Sequence, residues 1–305
     1  MARPPRNPLI PMQEGVSPSV VALPTGPWHT VLDFLCERLP AVTTQEWADR
    51  IASAQVLHED GRPVMPGQAY ASGQRLYYYR NLAHEPELPE TERILFEDEH
   101  LLVADKPHFM PVTPSGKYVQ QSLLVRLKRQ TGCVDLSPIH RIDRETAGLV
   151  LLSKRPQDRD AYQALFRDRR VDKVYEAVAA RPLGMVLPRV HRSRLEEDTR
   201  FFRMREVAGE PNSETHVRLL HEAADRALYA LSPVTGKRHQ LRVHMLSMGV
   251  PIEGDQFYPQ VLRGPDEAED FAHPLQLLAR QITFQDPVTG ARRAWCSLRR
   301  LRLGL

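Results

Sequence analysis

From residue 93 onward the chain is built of short β-type apolar runs, and that succession limits what it can fold into more than any other feature. RILFEDEHLLVADKP reads as two strands around an Asp98-Glu99 turn, and AGLVLLSK, KVYEAVAA, THVRLLHE, RALYALSP and QLLARQITFQDP follow, each of strand length. Helical patterns are few and lie between them, in VQQSLLVRLKRQTG and RDAYQALFRD. The mixture predicts an α+β domain on a mixed, mainly antiparallel sheet, spanning 93–305. No internal repeat of fixed period is visible.

The segment before it is organised differently. Residues 1–27 hold seven prolines and little apolar periodicity, which predicts an extended arm. In 28–83, TVLDFLCERLP places Val31, Leu32, Phe34, Leu35 and Leu39 on one helical face and stops at Pro40. TTQEWADRIASAQ opens a second helix at Thr43 or Thr44. Short apolar runs punctuated by Asp60-Gly61 and Pro66-Gly67 then predict a small antiparallel sheet, completing an α/β module. HEPELPETE, residues 84–92, is acidic and carries prolines, as a linker does.

A chain of 305 residues has room for a large domain and a small one. Its hydrophobic content of 42% and charged content of 26% are ordinary for a globular protein, which argues against a disordered chain or a coiled coil. No stretch approaches the roughly 20 apolar residues of a membrane-spanning helix, and the N-terminus lacks the apolar run of a secretory signal, so the expectation by elimination is a cytoplasmic protein. Cys36, Cys133 and Cys296 are too few and too far apart for a disulfide framework or a zinc-type pair. The net charge of +3 is mild, but arginines crowd FRDRRVDK, RVHRSRLEEDTRFFRMR and ARRAWCSLRRLRL while 85–100 is acidic. Such clusters suit either a phosphate-bearing ligand or a solvated surface.

The segment PIHRIDRETAGLVLLSK carries the densest chemistry, with His140, Arg141, Asp143, Arg144, Glu145 and Thr146 running directly into an apolar strand. Packing alone seldom starts a buried strand with six charged or hydroxylic residues. Arg141 and Arg144 flank Asp143, and nearby cations favour the anionic carboxylate, which suits a nucleophile or base. A structural ion-pair cluster is the competing reading.

Further on, Thr235-Gly236 reads as a tight turn before a helix, HQLRVHMLSMG, on which His239 and Arg242 share a side. His239 and His244 are five apart, which is not the spacing of a helical metal pair, so no metal ligands are expected. In KVYEAVAA, strand alternation sends Lys173, Tyr175 and Ala177 to one face. A tyrosine there is ordinarily packing.

Taken in order, ILFEDEHLLVADKP, HRIDRETAGLVLLSK, KVYEAVAA and TGKRHQLRVHMLSMGVPIEGDQFY resemble the RluA family of RNA pseudouridine synthases over about 93–305. The helix, helix, sheet order upstream is similar to a degenerate S4-type RNA-binding domain, which several members of that family carry. The resemblance implies an enzyme that isomerises uridine to pseudouridine in RNA, without cofactor or metal. It implies Asp143 as the catalytic aspartate, Arg242 as the arginine that orients it, and Tyr175 as the tyrosine packed on the target base. Arg141 matches an arginine that fills the place of a flipped uridine. His140, Arg144, Thr146, Lys237 and His239 fall in positions expected to shape the pocket or touch substrate.

The sequence departs from the family pattern at Ala147, Lys237, Pro259 and in DKPHFM, departures that bear on the RNA target rather than on the reaction. Large-subunit ribosomal RNA is the expected substrate ahead of transfer RNA, because S4-bearing relatives often act there. A monomer without obligate protein partners is the family-level expectation. Two other readings are an RNA-binding or ribosome-assembly protein that keeps the fold without activity, and a hydrolase using Asp143 and Glu145.

Overall fold

The computed structural model describes residues 7–80, 84–182, 184, 188–199, 202–262, 264, 267 and 269–303. The first and last parts of the expected arm and module, 1–6 and 81–83, and Arg200 of the basic run lie outside them.

Local capping fixes the N-terminal module. Helix α1 (Val31–Arg38) starts at Thr30, whose hydroxyl accepts from the Asp33 amide while the Asp33 carboxylate accepts from the Thr30 amide. Thr43 and Glu46 repeat this reciprocal arrangement at the start of α2 (Thr44–Ala52), so Thr43 is the cap. Phe34, Leu35, Trp47 and Ile51 from the two helices are buried against Val56 and Leu76 of a three-stranded antiparallel sheet. That sheet has the order β1 (Ser19–Ala22), β3 (Arg75–Tyr78), β2 (Val56–His58).

Strand β1 comes from the proline-bearing arm, where an extended segment was expected, and pairs with β3. The alternation of Val20 and Val21 about one strand is too short to stand out from sequence, and its pairing partner lies over fifty residues away. Two further residues of the arm are anchored as well. Ile10 is buried beside Tyr77 and Tyr79, and Val16 packs on Val119 and Val125 of the larger domain.

The large sheet has the order β10-β9-β11-β12-β8-β13-β7-β5-β4. Its strands are β4 (Arg93–Glu97), β5 (Leu101–Lys106), β7 (Ala147–Ser153), β8 (Asp172–Ala180), β9 (Val190–Glu197), β10 (Met204–Val207), β11 (Ser213–Ala223), β12 (Arg226–Pro233) and β13 (Leu277–Gln285), with β6 (Ser137–Pro138) beside β7 and β14 (Arg292–Cys296) beside β13. Among the described residues every strand pairing is antiparallel except β13 with β7. The fold is therefore the expected α+β class with a mainly antiparallel sheet.

Alternating residues of β5 and β7 feed two cores. Leu102, Ala104, Val150 and Leu152 meet α3 (Leu123–Thr131), whereas Leu101, Val103, Leu149 and Leu151 meet Tyr162 and Leu165 of α4 (Arg159–Arg167). Burial on both faces explains why AGLVLLS is apolar without alternation. Helix α5 (Gln240–Ser247) lays Leu241 and Met245 on Ala177, Tyr229 and Leu231.

The acidic stretch 85–100 finds its counter-charges from distant parts of the chain. Glu92 pairs with Arg126 at 2.7 Å, Glu97 with Lys154 at 2.7 Å, and Asp98 with Arg293 at 2.8 Å, while Glu90 meets Arg299 and Glu99 meets Arg155. Glu85 accepts hydrogen bonds from the amides of Val119, Gln120 and Gln121 at 2.7–2.9 Å. The linker is thus docked along its length. Arg293 and Arg299 of the C-terminal basic run are spent within the protein, so the charge polarity of the sequence does not become an equal polarity of the surface.

Candidate active site

Asp143 sits on the loop that connects β6 to β7, where the Thr146 amide bonds back to the Asp143 carbonyl at 3.2 Å. Gly148 lets this loop enter the sheet. Its φ is +108°, and a Cβ there would lie 2.3 Å from the Ala279 carbonyl oxygen, so no other residue fits. From below, the fully buried Lys106 donates from Nζ to the carbonyls of Pro107 and Arg144 at 3.0 Å each. Burial lowers the Lys106 pKa to about 7, with Glu145 and Asp143 acting in the opposite sense.

Arg242 reaches this loop from α5. Its side chain has no solvent exposure, and it donates to Asp255 from Nε at 2.7 Å and Nη2 at 2.5 Å. The third nitrogen, Nη1, makes no hydrogen bond and stands 3.6 Å from Asp143 Oδ2 and 3.9 Å from Glu145 Oε2. The rings of Phe257 and Tyr258 lie 4.9 and 5.4 Å from the guanidinium carbon and box it in.

The carboxyl of Asp143 keeps 27% exposure toward a cleft of about 100 Å³. Burial raises its pKa; Arg242 opposes this, Glu145 and Asp255 add to it, and the net shift is upward. This corrects the expectation from the flanking arginines. Arg144 is turned away to Glu145 at 2.8 Å and Glu269 at 2.5 Å, and Arg141 is exposed to solvent. For Glu145, burial is outweighed by Arg144 and Arg242, and its pKa is lowered.

Arg141, Thr146, Tyr175, Lys237, His239 and Arg242 line the same cleft as Asp143, with Arg141 and Lys237 exposed at its rim. Burial first and the Asp143 charge second raise the Tyr175 pKa, so its phenol stays neutral. His239 precedes α5 at a φ of +53°; its Nδ1 is 3.0 Å from the Tyr258 hydroxyl and its Nε2 3.9 Å from Asp143. Burial and then Arg242 lower its pKa to about 3, leaving a neutral ring.

Two of the expected substrate-contacting residues point elsewhere. His140 stacks on Phe166 with ring centroids 4.5 Å apart, and its Nε2 accepts from the Leu151 amide at 3.1 Å. It closes the end of the α4 core, with its pKa lowered to about 3 by burial and by Lys173. Arg144 is held in its double ion pair beneath the loop.

Asp255, Lys106 and Gln240 were not singled out from sequence. Gln240 accepts from Thr235 and from the Lys237 amide while donating to the Glu214 carbonyl and Thr215, which fixes the turn beside the cleft. The GDQFY run that follows the helix was the available signal for Asp255. In DKPHFM, Phe109 takes a φ of +63° and packs edge-on against Phe271, 5.1 Å away. Among the described residues, His191, Glu206 and His244 could together hold a metal ion. Their atoms are engaged already: His191 with Glu206 at 2.7 Å, and His244 with Thr215, Ser193 and Ser213.

A buried arginine aimed at a partly exposed aspartate, in a cleft lined by a neutral tyrosine, leaves a carboxylate placed where it could act as nucleophile or base. Residues 100–247 match the family model described as RNA pseudouridylate synthase. An uncharacterized RNA pseudouridine synthase of Synechocystis sp. is 30% identical over 236 residues, covering 75% of this chain and 79% of that protein. Ribosomal large subunit pseudouridine synthase C of Vibrio cholerae is 35% identical over 198 residues, 64% of this chain and 62% of that protein. The solved structure of human RNA pseudouridylate synthase domain containing 4 superposes with a TM-score of 0.52 at 26% identity, covering 68% of this chain and 88% of that one. The chain belongs to the RNA pseudouridylate synthase family. It is an isomerase whose substrate is RNA, and none of its helices among the described residues is long and apolar enough to cross a membrane.

Proposed function

We propose that Asp143 is the catalytic carboxylate of an RluA-type pseudouridine synthase that acts on structured RNA, with large-subunit ribosomal RNA favoured over transfer RNA. The reading rests on one observation above others: Arg242, locked on Asp255, aims its free Nη1 at Asp143 inside the cleft that Tyr175 lines.

In the reaction the C1′–N1 bond of uridine breaks, C5 bonds to C1′, and a proton passes from C5 to N1. Asp143 supplies the nucleophile or base, and Arg242 keeps it oriented. Tyr175 forms the wall on which the flipped uracil rests, its neutral phenol positioned to move a proton. Extracting the base from its stack costs a few kcal/mol and leaves a gap, which the exposed Arg141 is suited to fill. Thr146, Lys237 and His239 shape the cleft around the base. His140 and Arg144 support the loop in this reading, through the Leu151 amide and Glu269, rather than contacting RNA.

The module ending near residue 83 serves as an S4-like RNA-binding unit, followed by the docked linker 84–92 and the catalytic domain 93–305. The two helices on a three-stranded sheet support it. The ribosomal target draws on the similarity to the Vibrio large-subunit enzyme.

Pseudouridine mapping across total RNA, with and without the gene, tests the target. Loss of a site in large-subunit ribosomal RNA is expected. Loss confined to transfer RNA would overturn the ribosomal assignment, and an unchanged map would overturn the reading as a whole.

A further inference from the structure

Beside the neutral His239, four lysines and arginines among the described residues line the cleft, and they are not equivalent. Arg242 is committed to Asp255, Asp143 and Glu145. Arg141 and Lys237 are exposed at the rim, where water screens them. Lys173 is different: it lines the cleft beside Tyr175, is half-buried, and has no carboxylate partner among the described residues. Burial alone accounts for its lowered pKa, and no anion offsets it. In such a place the charged form of an unpaired lysine is disfavoured while the cleft is empty. That cost is recovered when something negative enters the cleft.

The reaction generates such a charge on the base. If the C1′–N1 bond breaks heterolytically, its electron pair goes to uracil N1 and spreads over O2 and O4. If a carboxylate instead adds at C6, the pair moves through C5 to O4. Either way a uracil oxygen becomes anionic before C5 bonds to C1′ and the C5 proton is transferred to N1. Tyr175 lies two residues from Lys173 on β8 and lines the same cleft, so a base resting on Tyr175 has Lys173 at its margin.

We propose that Lys173 is a catalytic residue that donates an N–H to a uracil carbonyl oxygen and stabilises the anionic base in the transition state. This rests on the assignment of the cleft as the uridine site. The ammonium keeps its proton throughout. Its contribution is electrostatic, of the kind made by donors aimed where charge develops.

The test uses the full chain in single-turnover reactions on a transcript spanning the uridine assigned by mapping, made with either uridine or 5-fluorouridine. Fluorine at C5 withdraws electron density and stabilises the uracil anion by itself. Lys173→Met is expected to slow loss of the N-glycoside about 100-fold on the uridine transcript, as removal of one such donor does. On the fluorinated transcript the deficit should shrink to less than about tenfold, and Lys173→Arg should restore most of the rate on both. The RNA dissociation constant should stay within about twofold, because the charge is met after ground-state binding.

Equal deficits on both transcripts, or weaker RNA binding with an unchanged rate, would overturn the proposal; the second result would assign Lys173 to a phosphate. Circular dichroism and thermal unfolding check the fold, and Lys173→Gln carries the same comparison if the methionine variant does not fold. Asp143→Asn run in parallel separates the two levels. If that variant turns over normally, the assignment of the cleft fails; if it is inactive while Lys173→Met behaves as wild type, only the role of Lys173 fails.

Discussion

Arg242 and Asp255 form a buried two-point contact, Nε to Oδ2 at 2.7 Å and Nη2 to Oδ1 at 2.5 Å, with almost no exposure of either side chain. Asp255 also accepts from the amides of Phe257 and Tyr258, so it is itself held on three sides. The direction of the remaining guanidinium nitrogen, toward Asp143, is a consequence of this grip.

Asp255→Asn therefore loosens Arg242 without emptying its site. A shift of about 1 Å in the carboxylate is enough to cost about 100-fold in rate, the loss expected in single-turnover assays with RNA binding retained. Asp255→Ala leaves a buried, half-paired guanidinium and should destabilise the fold by about 3–5 kcal/mol in urea unfolding.

Burial, reinforced by Glu145 and Asp255, outweighs Arg242 and raises the Asp143 pKa. In the proposed mechanism the active form is the carboxylate, so the acid limb of the rate profile should lie above the ordinary aspartate range; a midpoint at or below that range would contradict the assignment. The stability effect has the opposite sense. Between the unfolded and the raised folded pKa, the folded protein holds a proton that the unfolded chain has released, so stability falls as pH rises through that window. Above that window the ionised Asp143 is a liability, and there Asp143→Asn should melt no lower than wild type while making no pseudouridine. The difference in melting temperature should close on acidification.

Tyr175→Phe removes one hydroxyl from the cleft and no packing ring. Turnover should drop by about 10²–10⁴-fold if the phenol moves a proton. Because burial raises its pKa, the wild-type rate should show no alkaline limb attributable to this group. An unaltered rate in the phenylalanine variant would limit Tyr175 to stacking.

Arg141 is exposed, and Arg141→Ala should change stability by no more than about 0.5 kcal/mol. Its expected defect lies in base extraction, measured as fluorescence of 2-aminopurine placed next to the target uridine. A normal flipping signal would return Arg141 to the solvated surface.

Much of this arrangement was legible in the sequence because it is written locally. The capping pairs, the apolar run of β7 and the turn before α5 each depend on neighbours within a few residues. The family resemblance, rather than any local pattern, brought Asp143, Tyr175 and Arg242 forward as a set, and they line one cleft. What escaped was decided at a distance. Arg144 looks like a counter-ion for Asp143 by adjacency, yet Glu269 and Glu145 hold it elsewhere. His140 heads the motif, but the β6–β7 pairing turns it inward to Phe166. Lys106 and Asp255 carry no local signature of burial, since the atoms that bury them come from other strands. Strand β1 was hidden for the same reason.

The arm that supplies β1 also crosses to the catalytic domain, where Val16 is packed on Val119 and Val125, while Glu85 pins the linker to the turn before α3. Two separate tethers leave the small module little freedom to swing. In the RNA-binding role proposed for this module, an RNA gripped by module and cleft together would be measured as well as bound, and the uridine presented would be the one at the right span from the gripped element.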